Sequence, residues 1–301
     1  MELLNKIKKI GWYTFDHLPF HLRYFILFTY QKKRLPRFFC PKDYCDYVTS
    51  DNFFGRHNKH AFLADKLEVR KYVEEKGLGS TLVPLLGYWD DASKIDFDAL
   101  PNQFAIKCNH SCGMNIICYD KNNLDIEATR KQLNEWLHTK HPKFFERHYK
   151  YIKPMILAEA LIPSEKDGYF PRDYKIHCAH GKPIFIQCCF ERTGNDAGRR
   201  VIYSTDWKNL HYVIADAHYS DEDIPRPKHL EEMLKGAETL SEGLDYARID
   251  FYDTDKGILF GEVTLTPMGG WLEYFTQEAL DVMGKAIREG KQKKKNAGKH
   301  Q

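Results

Sequence analysis

No segment of this chain approaches eighteen uninterrupted apolar residues, which argues against a membrane-spanning helix. The best candidate, PFHLRYFILFTY (19–30), is short and carries His21 and Arg23. No cleavage-site pattern follows an apolar run near the N-terminus, so no secretory leader is expected and the protein is read as cytoplasmic. None of the eight cysteines forms a CxxC pair, and vicinal Cys188 and Cys189 cannot share one face of a strand. That spacing argues against zinc and for reduced, mostly buried thiols. Low-complexity tracts and internal repeats are missing, and no nucleic-acid-binding module accompanies the basic residues.

What is present is a globular chain of 301 residues, long enough for one large or two medium domains, with its charge unevenly spread. The net charge is +3, but residues 1–37 carry +6 and residues 291–301 carry +5, leaving −8 for the body. Basic ends on an acidic body suggest attraction to an anionic membrane surface, glycolipid or polymer, with the tail otherwise a solvated, disordered end.

The pattern along the chain predicts an amphipathic helical start over 1–40, a loop over 41–48, and a helix over 60–79 ending at Gly77 or Gly79. Strands are expected at 81–89, 103–109, 114–118 and 155–163, a helix at 126–140, and a hairpin over 173–192 turning at His180–Gly181. A helix at 228–243, a hairpin over 247–264 and a helix at 276–289 follow. Interspersed helices and hairpins argue for an α+β class with mainly antiparallel sheets.

The hairpin ARIDFYDTDKGILFGEVTLT is the most informative stretch. With Asp255, Lys256 and Gly257 as a three-residue loop, Asp250 opposes Glu262, Arg248 opposes Thr264 and Tyr252 opposes Phe260, all on one face. Opposed carboxylates repel, so a buried Arg or Lys, or a divalent metal, must lie between them. In FAIKCNHSCGMNII, Lys107 sits on the face opposite Phe104 and Ile106, ahead of a polar loop with Ser111 and Gly113. A loop whose N–H groups turn toward an anion, beside a lysine, suits a phosphate. Glu159 interrupts the apolar strand MILAEALI and needs a partner, either Lys153 or Lys175, or a polar ligand. Lys175 shares a face with Asp173.

In this order, these pieces resemble the ATP-grasp superfamily, and more narrowly its TupA-like group, named for teichuronopeptide biosynthesis. The segments that carry the resemblance are LADKLEVRKYVEEKG, LVPLLGYWD, IDFDALPNQFAIKCNHSCGMNII, DYKIHCAHGKPIFIQ and ARIDFYDTDKGILFGEVTLTPMGG. The resemblance implies an ATP-grasp fold holding MgATP between two α+β subdomains, behind a helical N-terminal region. The implied divisions are 1–59 helical region, 60–102 first subdomain, 103–163 lid subdomain, 164–290 C-terminal subdomain and 291–301 tail. It implies Lys66 as an ATP-contacting lysine of the first subdomain, Lys107 and Lys175 at the phosphates, and His110, Ser111, Cys112 and Gly113 as the loop closing over the triphosphate. Glu159, with the backbone of Ala160 and Leu161, would meet ribose and base. Arg248 would stabilise the transferred phosphate, and Asp250, Glu262 and Thr264 would hold Mg2+ or Mn2+. Thr264 stands where the family usually has asparagine, and the NHSCG loop is poorer in glycine than the family pattern. Arg192, Gly269 and Gly270 are candidates for the acceptor pocket, as are Arg199 and Arg200.

The implied activity is an ADP-forming carboxylate–amine ligase that passes through an acyl phosphate. Its partners would be ATP, an amino acid or amine, and a uronic-acid carboxylate of a capsular or other surface polysaccharide, its precursor or a glycolipid. Alternatives are a phosphotransferase on the same fold, a glycosyltransferase, or a polymer-binding scaffold. Acidic fragments such as SDEDIP make poor sugar-nucleotide metal motifs.

Overall fold

A computed structural model of the chain describes residues 17–139, 146–164, 168–194, 196–214, 218–220 and 222–297. Helices α1 (Phe20–Lys32), α2 (Tyr44–Phe54), α3 (Ala61–Ala64) and α4 (Val69–Glu75) precede the strands. The first sheet has the order β1-β4-β2-β3, from β1 (Leu85–Trp89), β2 (Phe104–Cys108), β3 (Asn115–Cys118) and β4 (Ile156–Ala160). The second has the order β7-β6-β5-β8-β9, from β5 (Asp173–Ala179), β6 (Lys182–Phe190), β7 (Arg199–Tyr203), β8 (Ala247–Thr254) and β9 (Gly257–Thr264). Strands within each sheet pair antiparallel, and the class is α+β as the interspersed pattern implies.

Each sheet buries one apolar face under a helix. Phe104, Ile106, Cys108, Ile156 and Ala158 pack with Leu133 of α5 (Ile126–His138). Tyr174, Ile176, Ile249 and Phe251 pack with Leu230, Met233, Ala237 and Leu240 of α6 (Leu230–Ser241). Each fully buried side chain of this kind stabilises the fold by about 1.5–3 kcal/mol, before strain and entropy are set against it. Side-chain alternation then sends Lys107 and Glu159 to the other face of the first sheet. It sends Asp173, Lys175, Arg248, Asp250, Glu262 and Thr264 to the other face of the second. Part of that second face is closed by α2 and α7 (Gln277–Ala297), whose Tyr44, Val48, Leu280 and Met283 join Phe185 and Tyr246.

Several local expectations are corrected. Residues 44–54 are helix, not loop: Asp43 caps it, accepting from the Asp46 N–H at 2.8 Å, and Gly55 ends it at φ 66°. Buried Thr49, Ser50, Asp51 and Asn52 disguise it as polar surface. The helix expected over 60–79 breaks at Asp65, whose carboxylate accepts from the N–H groups of Leu67 and Glu68 at 2.9 and 3.2 Å. This break leaves Lys66 outside either helix, with its N–H on the Asn109 carbonyl at 3.3 Å. The last helix continues through Ala297 and takes up most of the basic tail; the remainder, 298–301, lies outside the described residues, as do residues 1–16 of the helical start. Helix α1 is apolar on both faces rather than amphipathic.

The 247–264 hairpin reaches the expected pairing by another route. Its loop is Asp255–Lys256, with Thr254 opposite Gly257 and Tyr252 opposite Leu259. An irregularity between Asp250 and Phe251 then admits Gly261 as an extra residue and restores Asp250 opposite Glu262 and Arg248 opposite Thr264. A side chain at Gly261 would lie 3.1 Å from the Asp250 carbonyl, so the bulge favours glycine.

Candidate active site

Strand register sets one row of the site: Lys175 lies opposite Asp250, and Asp250 opposite Glu262. The Lys175 ammonium donates to Asp250 Oδ2 at 2.5 Å and also to Asp173. Arg248 sits where the opposed carboxylates demand a cation. Its Nε and Nη2 donate to Asp250 at 2.7 Å each, and Nη2 reaches Glu262 Oε1 at 2.7 Å and Thr264 Oγ1 at 2.9 Å. The Thr264 hydroxyl in turn donates to Glu262 Oε1 at 2.9 Å.

Burial sets the electrostatics of this cluster. It works against the ammonium of Lys175, but Asp173 and Asp250 outweigh it and hold the pKa above the ordinary lysine value. Burial likewise opposes Arg248 and is overcome by Asp250 and Glu262. For Glu262, burial pushes the carboxyl up, while Arg248, Lys66 and Lys175 more than reverse that and hold it at about 2. Lys66 is different: burial lowers its pKa, with Glu262 acting the other way. Its ammonium donates to the Ser111 carbonyl at 2.5 Å, tying the first segment to the polar loop.

On the first sheet, Glu159 is 7 % exposed and takes Lys107 at 2.5 Å and Arg70 at 2.9 Å. Its partners are therefore neither Lys153 nor Lys175. Arg70 also donates to the Val83 carbonyl at 2.9 Å, beside the point where the Ala160 N–H meets the Pro84 carbonyl at 3.0 Å. Ala160 and Leu161 are half-buried there. In the polar loop, His110 and Ser111 are buried at the base, and Cys112 and exposed Gly113 form the tip, with Gly113 at φ 76°. The His110 ring contacts the Thr139 carbonyl at 3.4 Å, and burial lowers its pKa. Two cations thus meet one carboxylate at Glu159. Lys175, Arg192 and Arg248 meet Asp173, Asp250 and Glu262, with Lys66 beside them, so cations outnumber carboxylates and the two clusters together favour a polyanion.

Among the described residues no three His, Cys, Asp or Glu side chains gather as a self-sufficient metal cage. Asp250, Glu262 and Thr264 nevertheless offer two carboxylates and a hydroxyl on one face. That donor set fits magnesium or manganese, since magnesium is commonly held by one or two carboxylates plus substrate phosphates. Arg248, Lys66 and Lys175 keep Glu262 ionised at neutral pH.

Not all candidates converge. Arg192 approaches Asp173 at 3.4 Å and donates to the Pro171 carbonyl at 3.1 Å, at the margin of the lysine row. Arg199 and Arg200 open β7, and the Arg200 guanidinium stacks 4.1 Å from the Tyr274 ring. Gly269 and Gly270 lie against α2: the Asn52 amide donates to the Gly269 carbonyl at 3.3 Å. A Cβ on Gly270 would sit 2.7 Å from Val48 Cγ1. Protein, not open space, approaches Gly270 at that point.

A model of the TupA-like ATP-grasp family matches residues 48–288, most of the chain and all of the residues just described. The chain belongs to the TupA-like ATP-grasp family. As a member of that family it is an ATP-dependent ligase, and its fold is the ATP-grasp fold. No curated protein matches it in sequence. Among solved structures it is similar to the ATP complex of D-alanine–D-alanine ligase from Bacillus anthracis. The two share 15 % identity over 83 % of this chain and 70 % of that one, at a TM-score of 0.45. It is also similar to a RimK domain ATP-grasp protein from Sphaerobacter thermophilus DSM 20745, at 11 % identity over 78 % and 69 %, TM-score 0.39. A third is the ATP-grasp ligase PsnB, complexed with a phosphomimetic variant of its minimal precursor, Mg and ADP. It matches at 13 % identity over 80 % and 66 %, TM-score 0.41.

Three contributors to this polar cluster escape a reading of the sequence. Arg70 lies in an ordinary charged helix, and only the fold turns it onto Glu159. Asp65 and Asn109 brace the segment bearing Lys66: the Asn109 amide donates to Asp65 Oδ1 at 2.8 Å and to the Lys153 carbonyl at 3.0 Å. An asparagine directly after the strand FAIKC is the one signal that could have drawn attention to this brace.

Proposed function

We propose that this ATP-grasp ligase forms an amide between an amine and a carboxylate, releasing ADP and phosphate. The amine is that of an amino acid or amino compound. The acceptor is a uronic-acid carboxylate of a capsular or other surface polysaccharide, of its precursor, or of a glycolipid. One observation supports the reading: Arg248 and Lys175 share a half-buried polar face with Asp250, Glu262 and Thr264. Lys66 links them to the Lys107–Glu159–Arg70 group of the other sheet, since it interacts electrostatically with both Glu262 and Lys107.

An acceptor carboxylate oxygen attacks the γ-phosphorus of ATP, the bond to the β–γ bridging oxygen breaks, and ADP leaves. The amine nitrogen then attacks the acyl carbon, loses a proton, and the phosphate departs with the original carboxylate oxygen. Lys66, Lys107 and Lys175 neutralise phosphate charge, and Arg248 is placed to stabilise the transferred group. One such preorganised donor is worth about 3 kcal/mol in a transition state. Asp250, Glu262 and Thr264 would hold Mg2+ or Mn2+, whose chemistry is to neutralise phosphate charge. The loop 110–113 would close over the phosphates, and Glu159 with Ala160 and Leu161 would hold ribose and base. Arg192 would meet the acceptor, with the Pro267–Gly270 turn at its edge. On this reading the chain divides into a helical region 1–59, a first subdomain 60–102, a lid subdomain 103–163, a C-terminal subdomain 164–290 and a tail 291–301.

Among the described residues no helix is long and apolar enough to cross a membrane. The basic ends support a place in the cytoplasm at the inner face of the membrane. Incubation with MgATP, uronic-acid oligosaccharides and pooled amino acids tests the reading. ADP together with a product heavier by one amino acid less water is expected. AMP as the nucleotide product excludes it. A stable phosphorylated product reassigns the chain as a phosphotransferase, and consumption of a UDP-sugar reassigns it as a glycosyltransferase.

A further inference from the structure

We propose that the outward face of α1 docks the chain on an anionic lipid bilayer, with the helix lying along the surface. The proposal rests on the placement at the inner membrane face given above, and supplies the surface that would achieve it. Helix α1 buries Tyr24 and Phe28 against Trp271, with ring centroids 6.3 and 6.1 Å apart. Its opposite face is also apolar. Leu22, Phe25, Ile26 and Tyr30 recur at helical spacing and are 45, 38, 40 and 73 % exposed. Of the fourteen exposed large hydrophobic residues described, seven fall between Leu22 and Phe54, so this apolar surface is concentrated rather than scattered. Phe39, 83 % exposed, adjoins Phe54 at 5.6 Å between ring centroids.

Charge selects the occupant. From His17 to Lys42 the chain has no acidic residue and six basic ones, Arg23, Lys32, Lys33, Arg34, Arg37 and Lys42; Arg34 and Arg37 are taken up by Asp43 and Asp46, which leaves Lys32 and Lys33 at the end of the stripe. Lys33 continues the exposed stripe, with its ammonium 4.3 Å from the Tyr30 ring centroid. Neither Lys32 nor Lys33 makes an ion pair among the described residues. The sequence just upstream adds Lys6, Lys8, Lys9 and Trp12. Aromatic and aliphatic side chains rimmed by unpaired lysines fit the headgroup boundary of an anionic membrane, where apolar burial and charge attraction add. A second copy of the chain fits less well, because a two-fold contact would gather like charges around one apolar patch. A helix of 13 residues is also too short to span a bilayer, so it lies on the surface.

Co-sedimentation of the full chain with vesicles decides it. Vesicles containing phosphatidylglycerol at low salt should retain the protein; phosphatidylcholine vesicles, or high salt, should release most of it. Ile26→Asp/Tyr30→Asp should weaken retention by about tenfold or more, and Lys32→Gln/Lys33→Gln by several-fold. Ile26, Tyr30 and Lys33 are exposed, Lys32 is half-buried, and none contacts the Lys175–Arg248 or Lys107–Glu159 clusters, so ATP turnover with a soluble acceptor should be unchanged. Failure of the full chain to bind phosphatidylglycerol vesicles at low salt would overturn the proposal. So would equal retention of the aspartate variant, or a dimer in sedimentation velocity that this variant dissociates. Absent turnover alongside intact, variant-sensitive vesicle binding would overturn the ligase reading alone.

Discussion

Asp250→Ala should destabilise the protein by about 3 kcal/mol, before any effect on turnover. Asp250 is 2 % exposed and accepts from Lys175 at 2.5 Å and from two nitrogens of Arg248 at 2.7 Å each. Burial disfavours both cations, and their carboxylate partners are what reverse it. Removing one member of a buried ion pair costs about 3–5 kcal/mol, because a desolvated charge is left behind. Asp173 still holds Lys175 and Glu262 still holds Arg248, which places the cost at the low end. At about 2–4 °C per kcal/mol for a chain of this size or a little smaller, Tm should fall by roughly 6–12 °C. Urea denaturation at neutral pH, followed by tryptophan fluorescence, reads the change. Arg248→Met/Asp250→Ala should lose about 1 kcal/mol or more less than the sum of the two single changes. An Asp250→Ala protein within ~0.5 kcal/mol of wild type would refute the reasoning, since the cluster would then be well hydrated. Turnover assays at this position accordingly need Asp250→Asn, which keeps the volume, beside the alanine.

Glu262 predicts a pH dependence. Its carboxyl is lowered from 4.5 to about 2, so its contribution to stability is complete above about pH 4.5 and is lost as pH falls toward 2. The side chain is 37 % exposed, and screening reduces a nominal ~3 kcal/mol to about 1–2 kcal/mol. Urea midpoints at stepped pH should show wild type losing that much more than Glu262→Gln on acidification; parallel profiles would count against the ion pair. Gly270→Ala should cost about 1–3 kcal/mol by thermal melting, because φ is 90° and the new Cβ would lie 2.7 Å from Val48 Cγ1. A neutral result would show that α2 shifts freely. Arg70→Met should raise the Kd for ATP by about tenfold, since Glu159 and the Val83 carbonyl both lose a charged donor. Calorimetric titration checks this, and unchanged affinity would place the nucleotide elsewhere.

The chemistry-bearing strands were legible because alternation alone separates a carboxylate or lysine from an apolar face. Arg248, Asp250, Glu262 and Thr264 could be assigned to one row before any coordinates. Turn geometry could not, because a bulge at Gly261 compensates a shorter loop and period-two patterning is blind to a compensated shift. Helix α2 was illegible for a different reason. Its buried Ser50, Asp51 and Asn52 find their partners, the Phe38 carbonyl, Arg56 and the Gly269 carbonyl, only in the folded chain, so local polarity mimicked a loop. The short strand Arg199–Tyr203, opening on two arginines, was missed because tertiary pairing with β6 outweighs its weak local preference. Glu159 stood out as an anomaly, but nothing in its own strand names Arg70, 89 residues away in sequence, as its partner.

The proposed reaction splits ATP between its β- and γ-phosphates to activate a carboxylate for amide formation. The most direct measurement uses an acceptor carboxylate labelled with oxygen-18, turned over with MgATP and the amine. One labelled oxygen should appear in inorganic phosphate, with ADP as the nucleotide product. Label in AMP, or unlabelled phosphate accompanying amide formation, would contradict the account.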